Sequence, residues 1–600
     1  MLRRDFIAGT GAASLALAAP LRAATAPASS LRATLDAIAA DDIAHDPEDA
    51  TGTGLDKGKL AGLRYRLQSR TLAERNANLA RNQHWLAVLS RFDANRLTAQ
   101  ERRELTLAKY LVEQRVIAPR DFALDSVQRP YRLFQQGGAY FSVPDFLNSQ
   151  HPIENKADAE AYLSRLDGFA TVLDQDTAVQ RAMAARGIVA PAWSLDLTLG
   201  QMAKLRDAPV GQSGLVRSLA DRAAAKGIPG NWAARASAIV TRRVLPALDR
   251  QMALVRALRR TTPAGDGAWR LPRGEGIYAA ALRQATTTDM TPEQVHQTGL
   301  DQVADITARL DSILREAGLT SGSVGDRLTQ LNHRSDQLYP DTAAGRRDMI
   351  TSLNAGIRAM YDRLPQAFAS VPRLPLEIRA VPTDIQDGAS NGYYNPAPLD
   401  GSRPAIYWIN LKDVGDWPKY TLPSLTYHEG VPGHHLQFSY SSAGGDLPLL
   451  LKNAFISSYG EGWALYAEQL ADELGAYSGI ERAGYLQSFL FRAARLVVDT
   501  GIHHYKWSRE KATDYMVATT GFARPRSQRE VERYCTQIGQ ACSYKIGHTA
   551  WVAQRAKAEK ALGAKFSLPW FHDILREGVM PLSQLDKRVD ERIAERMRVA

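Results

Sequence analysis

Apolar residues recur every three or four positions along most of the chain, a spacing that lines one face of an α-helix and predicts a mainly α-helical protein. The longest such run in the first half extends from Ala157 to Ile188, within a region, roughly residues 27 to 270, that reads as a scaffold of helices with polar faces. Thr291-Pro292-Glu293-Gln294 marks a further helix start, with Thr as cap, Pro in the first turn and Gln three residues after the Thr; its pattern runs to Gly318. The pattern then changes. Leu376 to Val381 alternates in polarity and Ala405 to Leu411 is rich in β-formers, so two short strands and a small sheet are expected there. Between them, Asn391-Gly392-Tyr393-Tyr394-Asn395-Pro396 reads as a turn-rich connection, either a plain loop or one whose Tyr394 and Asn395 bring donors to a substrate backbone. Phe134 to Pro144, with adjacent Gly137 and Gly138, reads as a loop whose aromatics line a cleft or pack in the core.

Composition fits a folded protein with a large core: 600 residues, 45% hydrophobic and 23% charged. The long helical patterns without a clear linker suggest one large bilobed unit, residues 271 to 600 forming a catalytic region packed on the first lobe. The net charge of +10 is scattered. Clusters such as Arg242-Arg243, or Arg256 with Arg259 and Arg260, sit in helical stretches where a solvated face is expected, not a nucleic-acid footprint. Residues 1 to 26 read as an export signal of the twin-arginine type: Arg3-Arg4-Asp5-Phe6-Ile7, an apolar run from Ala8 to Pro20 too short to span a bilayer, and small residues at Ala23, Ala24 and Ala26. A mature protein without membrane insertion, periplasmic or secreted, is the expectation. The only cysteines, Cys535 and Cys542, would lie about 10 Å apart on a continuous helix, too far for a bridge, although Gly539 offers a break that would permit one.

The chemistry concentrates in His428-Glu429-Gly430-Val431-Pro432-Gly433-His434-His435. In a His-Glu-x-x-His helix two imidazoles lie one turn apart and the glutamate sits beside a metal-activated water. Here Pro432 takes the place of the second histidine. Pro432-Gly433 interrupts helical hydrogen bonding, and a local bulge would return His434 to the second ligand position, with His435 as the competitor. The third ligand is expected from Tyr459-Gly460-Glu461-Gly462-Trp463, whose helix places Glu461, Leu465, Glu468 and Asp472 along one stripe, so that Glu468 would support a ligand from behind. Two imidazoles and one carboxylate with an open fourth position suit Zn2+. Glu429 would act as general base.

Late in the chain lie candidates for oxyanion stabilisation and substrate binding: His503, Arg533, Tyr534 and, first among them, Tyr544, a neutral phenol flanked by glycines. Ser527 and Glu530 read as the cap of the helix that carries Arg533 and Tyr534.

At these residues the chain resembles a large family of mostly uncharacterised, often exported bacterial proteins that share His-Glu-x-x-Pro-Gly-His-His, Glu-Gly-Trp-Ala-Leu-Tyr and Gly-Gln-Ala-x-Ser-Tyr-Lys-Ile-Gly. Ile538 stands where that pattern has proline. The family is itself similar to the helical zinc oligopeptidases. The resemblance implies a zincin-like metallopeptidase fold, two helical lobes about a channel edged by a small sheet, and short-peptide substrates. It supports His428, Glu429 and Glu461 most directly, then His434, Tyr544 and Arg533. The alternatives are a metal-dependent hydrolase of nonpeptide amides and a noncatalytic peptide-binding protein.

Overall fold

The computed structural model describes residues 30–598 apart from 382–385, 387–390, 399–400, 402 and 444–445; the segment read as an export signal lies outside the described residues. The chain is mainly helical, with one small sheet. Helix α1 (Lys156–Ala184) is capped by Asn155, and α2 (Pro292–Glu316) starts in the expected capping box of Thr291 and Gln294. Strands β1 (Leu376–Ala380) and β3 (Ala405–Ile409) form as expected and pair in parallel. The connection between them is not all loop. Gly392–Asn395 forms β2, antiparallel to β3, giving the order β1-β3-β2 and leaving β2 at an edge. The Phe134 region is a loop only in part, since Ala139–Ser149 is helical; Phe134 pairs with Gly137, and Phe134 and Tyr140 are buried as the core alternative has it, the Tyr140 hydroxyl donating to the Phe134 carbonyl. Those aromatics belong to the core.

Six helices position the site: α3 (Leu422–Glu429), α4 (His434–Ala443), α5 (Ser457–Glu473), α6 (Glu481–His503), α7 (Arg524–Thr536) and α8 (Ser543–Leu562). Helix α7 starts earlier than expected, with Pro525 in its first turn, so Ser527 and Glu530 lie inside it and do not cap it. One contiguous set of buried apolar side chains extends from Leu31 to Ile593 and draws on both halves of the chain. Hydrogen bonds cross between the halves as well: the Ile538 amide donates to the Gln128 carbonyl, and the Gln135 amide to the Glu532 carbonyl. The Arg242, Arg243, Arg256, Arg259 and Arg260 side chains are exposed, as a solvated face requires. Cys535 and Cys542 are both free thiols, fully buried.

Helices α5 and α8 touch backbone to backbone. A Cβ on Gly462 would lie 2.4 Å from the Gly547 carbonyl carbon, and one on Gly547 would lie 1.9 Å from the Ser458 oxygen. Backbone cannot rotate aside as a side chain does, so Gly462→Ala should cost roughly 1–3 kcal/mol or more through overpacking. Gly200, inside a helix with open space where its Cβ would be, is the contrast. Gly200→Ala should be neutral or stabilising by up to about 1 kcal/mol. Thermal unfolding of the two variants checks the crossing; equal midpoints would contradict it.

Candidate metal centre

The sequence break at Pro432-Gly433 makes the site. Helix α3 ends at Glu429, the Val431–Pro432 peptide is cis, and α4 begins at His434, so the helix stops and restarts where a bulge was expected. The returning chain passes very close to the end of α3: the Gly433 amide donates to the Tyr427 carbonyl at 2.9 Å, and a Cβ on Gly433 would sit 2.0 Å from the His428 oxygen. Only glycine fits there. The Trp463 Nε1 of α5 donates to the Pro432 carbonyl at 3.0 Å and holds the turn against the helix that carries Glu461.

This return brings His434, not His435, to His428. Their rings are 5.0 Å apart and nearly perpendicular, and each Nε2 lies 3.4 Å from the same Glu461 oxygen. The three groups are buried, and their donor atoms all lie within 4.8 Å of one another. They could hold a metal ion. His435 is committed elsewhere: Nε2 donates to the Leu374 carbonyl at 3.0 Å, and Nδ1 accepts from the Tyr394 hydroxyl at 3.1 Å. Burial lowers its pKa to about 4, consistent with that neutral tautomer.

Glu468 stands behind His428, as the stripe on α5 predicts. It accepts from His428 Nδ1 at 2.8 Å, from Ser488 Oγ at 2.6 Å and from Ser424 Oγ, and is fully buried. Burial would raise its pKa, but Arg492 and these donors together lower it. Two facing carboxylates, Glu461 and Glu468, raise the His428 pKa to about 9 against the opposing effect of burial. Glu429 differs from both: its carboxylate has no hydrogen-bond partner among the described residues, and burial raises its pKa.

These groups open on a cavity of about 530 Å³. Tyr544 lines it, its ring 6.3 Å from the His428 ring and nearly parallel. Burial, then Glu461, raises the Tyr544 pKa, keeping the phenol a hydrogen-bond donor. Tyr394 and Arg533 also line the cavity. Three expected substrate contacts do not. The Asn395 amide, oriented to satisfy both neighbours, accepts from Trp408 Nε1 at 3.1 Å and donates to the Tyr394 carbonyl at 3.3 Å within the sheet. Tyr534 is fully buried behind the cavity wall, bonded to Arg495 and Glu530. His503 links three segments: Nδ1 accepts from the Ala268 amide at 2.9 Å and Nε2 donates to the Tyr534 carbonyl at 3.0 Å. It is a core histidine, with its pKa lowered by burial to about 4. The sequence reading missed Arg129, Arg492, Arg495 and Arg526, which also line the cavity. A signal was available in Phe491-Arg492-Ala493-Ala494-Arg495-Leu496, where two arginines three apart interrupt an otherwise apolar helix.

Residues 47–589 match a family of bacterial proteins of unknown function, DUF885. The fold matches the crystal structure of a candidate lipoprotein from Colwellia psychrerythraea, with a TM-score of 0.91, 29% identity and coverage of 94% of this chain and 99% of that one. It also matches a candidate lipoprotein of unknown function from Shewanella oneidensis, with a TM-score of 0.70, 17% identity and coverage of 93% and 99%. No curated protein matches the chain.

Asp499, beside His503 on α6, generates a pH prediction. Its carboxyl is fully buried, accepts from the Tyr278 hydroxyl and the Gly539 amide, and has its pKa raised by burial from 3.8 to about 7. The folded state therefore holds a proton that the unfolded chain releases, and the protein should lose stability as pH rises from about 4 to about 7, by up to a few kcal/mol. Asp499→Asn removes this titration. Denaturant unfolding at about pH 5 and pH 8 should show the variant gaining on wild type at the higher pH; an unchanged difference would contradict the buried proton.

Proposed function

We propose, starting from a chain that belongs to the DUF885 family of bacterial proteins of unknown function, that it is a zinc-dependent peptidase acting on short peptides. The observation that carries this reading is the convergence of His428, His434 and Glu461 beside an unpaired, buried Glu429. The donor set fits zinc. Tetrahedral zinc with bonds of ~2.0–2.1 Å spaces its ligands by ~3.3–3.4 Å. The two histidine–glutamate separations are 3.4 Å, whereas direct charge-assisted hydrogen bonds are shorter, about 2.7–2.9 Å. The Glu468 carboxylate fixes the His428 tautomer so that Nε2 is free to ligate.

When bound, zinc polarises a scissile carbonyl and acidifies a water. The chain's own residues supply the rest. Glu429, with no competing partner and its pKa raised by burial, takes the water's proton and returns it to the leaving amine. The Tyr544 phenol donates to the oxyanion as charge develops. Strand β2 supports a peptide substrate: Gly392, Tyr393 and Tyr394 line the cavity, and the edge of β2 away from β3 has no strand partner among the described residues. An extended peptide can lie along such an edge and borrow its backbone hydrogen bonds.

A two-lobed, zincin-like channel and a periplasmic or secreted location after twin-arginine export belong to the same proposal. Export is supported by the candidate lipoprotein from Colwellia psychrerythraea. Among the described residues no helix is long and apolar enough to cross a membrane.

Digestion of a short-peptide library by wild type and Glu429→Gln, with zinc measured by elemental analysis, tests the reading. The expected result is about one zinc in both forms and a loss of hydrolysis in Glu429→Gln on the order of 10²–10⁴. A zinc-loaded Glu429→Gln protein with full activity would overturn it.

A further inference from the structure

The cavity wall away from the metal triad is built from arginine. Helix α6 presents Gly484, Ser488, Arg492 and Arg495 at helical spacing, and α7 presents Arg526, Glu530 and Arg533; Arg129 comes from the N-terminal half. Five guanidinium groups thus line this wall with one carboxylate, Glu530, and of the five Arg492 also lies 3.9 Å from Glu468 behind His428. Glu530 is already bonded: its Oε2 accepts from Arg495 at 3.1 Å, Arg533 at 3.0 Å and the Tyr534 hydroxyl at 2.8 Å.

Other donors are paired, Arg492 Nη1 with Ser488 Oγ at 2.6 Å and Arg526 Nη1 with the Asp416 carbonyl at 2.7 Å, but three guanidinium groups keep one donor without an acceptor. Arg495 is only 5% exposed, yet its Nη1 has no partner among the described residues. The same holds for Nε of Arg492 and Nε of Arg526. Arg129, at the exposed rim of the cavity, makes no side-chain hydrogen bond or ion pair among the described residues. Guanidinium donors held in a cavity wall without acceptors are costly, and an anion in the cavity would complete them. Guanidinium geometry selects a planar, bidentate anion, which a carboxylate is.

The distance to the metal triad is short. The Arg495 guanidinium lies 4.4 Å from the Tyr544 ring centre, and that ring lies 6.3 Å from His428. Even laid end to end, these gaps equal about three residues of extended chain at ~3.3 Å each.

We propose that this arginine wall is a subsite for a carboxylate of the substrate, held within about three residues of the scissile bond. The reaction context rests on the peptidase reading; the carboxylate subsite itself is a binding property. Two sources share the chemistry: the free α-carboxylate at a peptide's C-terminus, and an aspartate or glutamate side chain. The first would make the enzyme trim from the C-terminal end.

Calorimetric titration of the zinc-supplemented full chain carrying Glu429→Gln tests this without requiring hydrolysis. Three short peptides serve as probes: a neutral free acid, the same sequence as its C-terminal amide, and an amidated version with glutamate at the last position. At least one carboxylate-bearing peptide should bind about tenfold tighter than the neutral amide. Adding Arg129→Gln or Arg533→Gln should reduce that preference at least about threefold, with the fold verified by circular dichroism. The tighter of the two acidic probes identifies the source of the carboxylate. Equal affinity for all three, no binding of any, or a preference untouched in both folded variants overturns the proposal. Because binding alone is read, an absence of peptidase activity would strike the functional reading and leave this one standing.

Discussion

Everything at the site depends on helix α5, and within it on Glu468. A buried carboxylate without partners would be protonated or would not be tolerated. Glu468 stays ionised because Arg492, His428, Ser424 and Ser488 surround it, so four donors on α3 and α6 are drawn to one point on α5. Two turns before it on the same face stands Glu461, which faces both imidazoles. One helix therefore carries the candidate ligand carboxylate and also fixes the orientation of the candidate ligand opposite it. Between these residues, Trp463 holds the turn that delivers His434, and Gly462 lets α8 approach closely enough to bring Tyr544 over His428.

The site is also organised by how its charges are compensated. On the metal side, three carboxylates surround two imidazoles, an excess of negative charge suited to a divalent cation. On the opposite wall stand five guanidinium groups and one carboxylate, Glu530, already bonded by Arg495 and Arg533, an excess of positive charge suited to an anion. The two excesses are separated by little more than the thickness of the Tyr544 ring and its contacts. A cavity polarised in this way would suit the proposed substrate, with a polarisable carbonyl at one point and a negative group nearby.

Much of this was legible in the sequence, for identifiable reasons. The placement of His428, Glu429, Glu461 and Glu468 could be read because it depends on helical spacing within short segments. The preference for His434 over His435 was recoverable because Pro432-Gly433 must break the helix; the form of the break was not, since it depends on Trp463 capturing the Pro432 carbonyl from another helix. Strand β2 was missed because Gly392-Tyr393-Tyr394-Asn395 is rich in turn formers and becomes a strand only by pairing with β3. His503 was misjudged because its partners, Ala268 and Tyr534, lie on separate segments. Of the arginine wall only Arg533 was read from sequence, because the packing of α6 against α7 and the approach of Arg129 from the N-terminal half are what gather the five residues.

A zinc ion held by His428, His434 and Glu461 is the core of the proposed function. Anomalous diffraction at the zinc edge, from crystals of the purified full chain, tests this most directly. The expected result is one strong peak within about 2.0–2.2 Å of both Nε2 atoms and a Glu461 oxygen. A zinc peak elsewhere, or none after zinc supplementation, would contradict it.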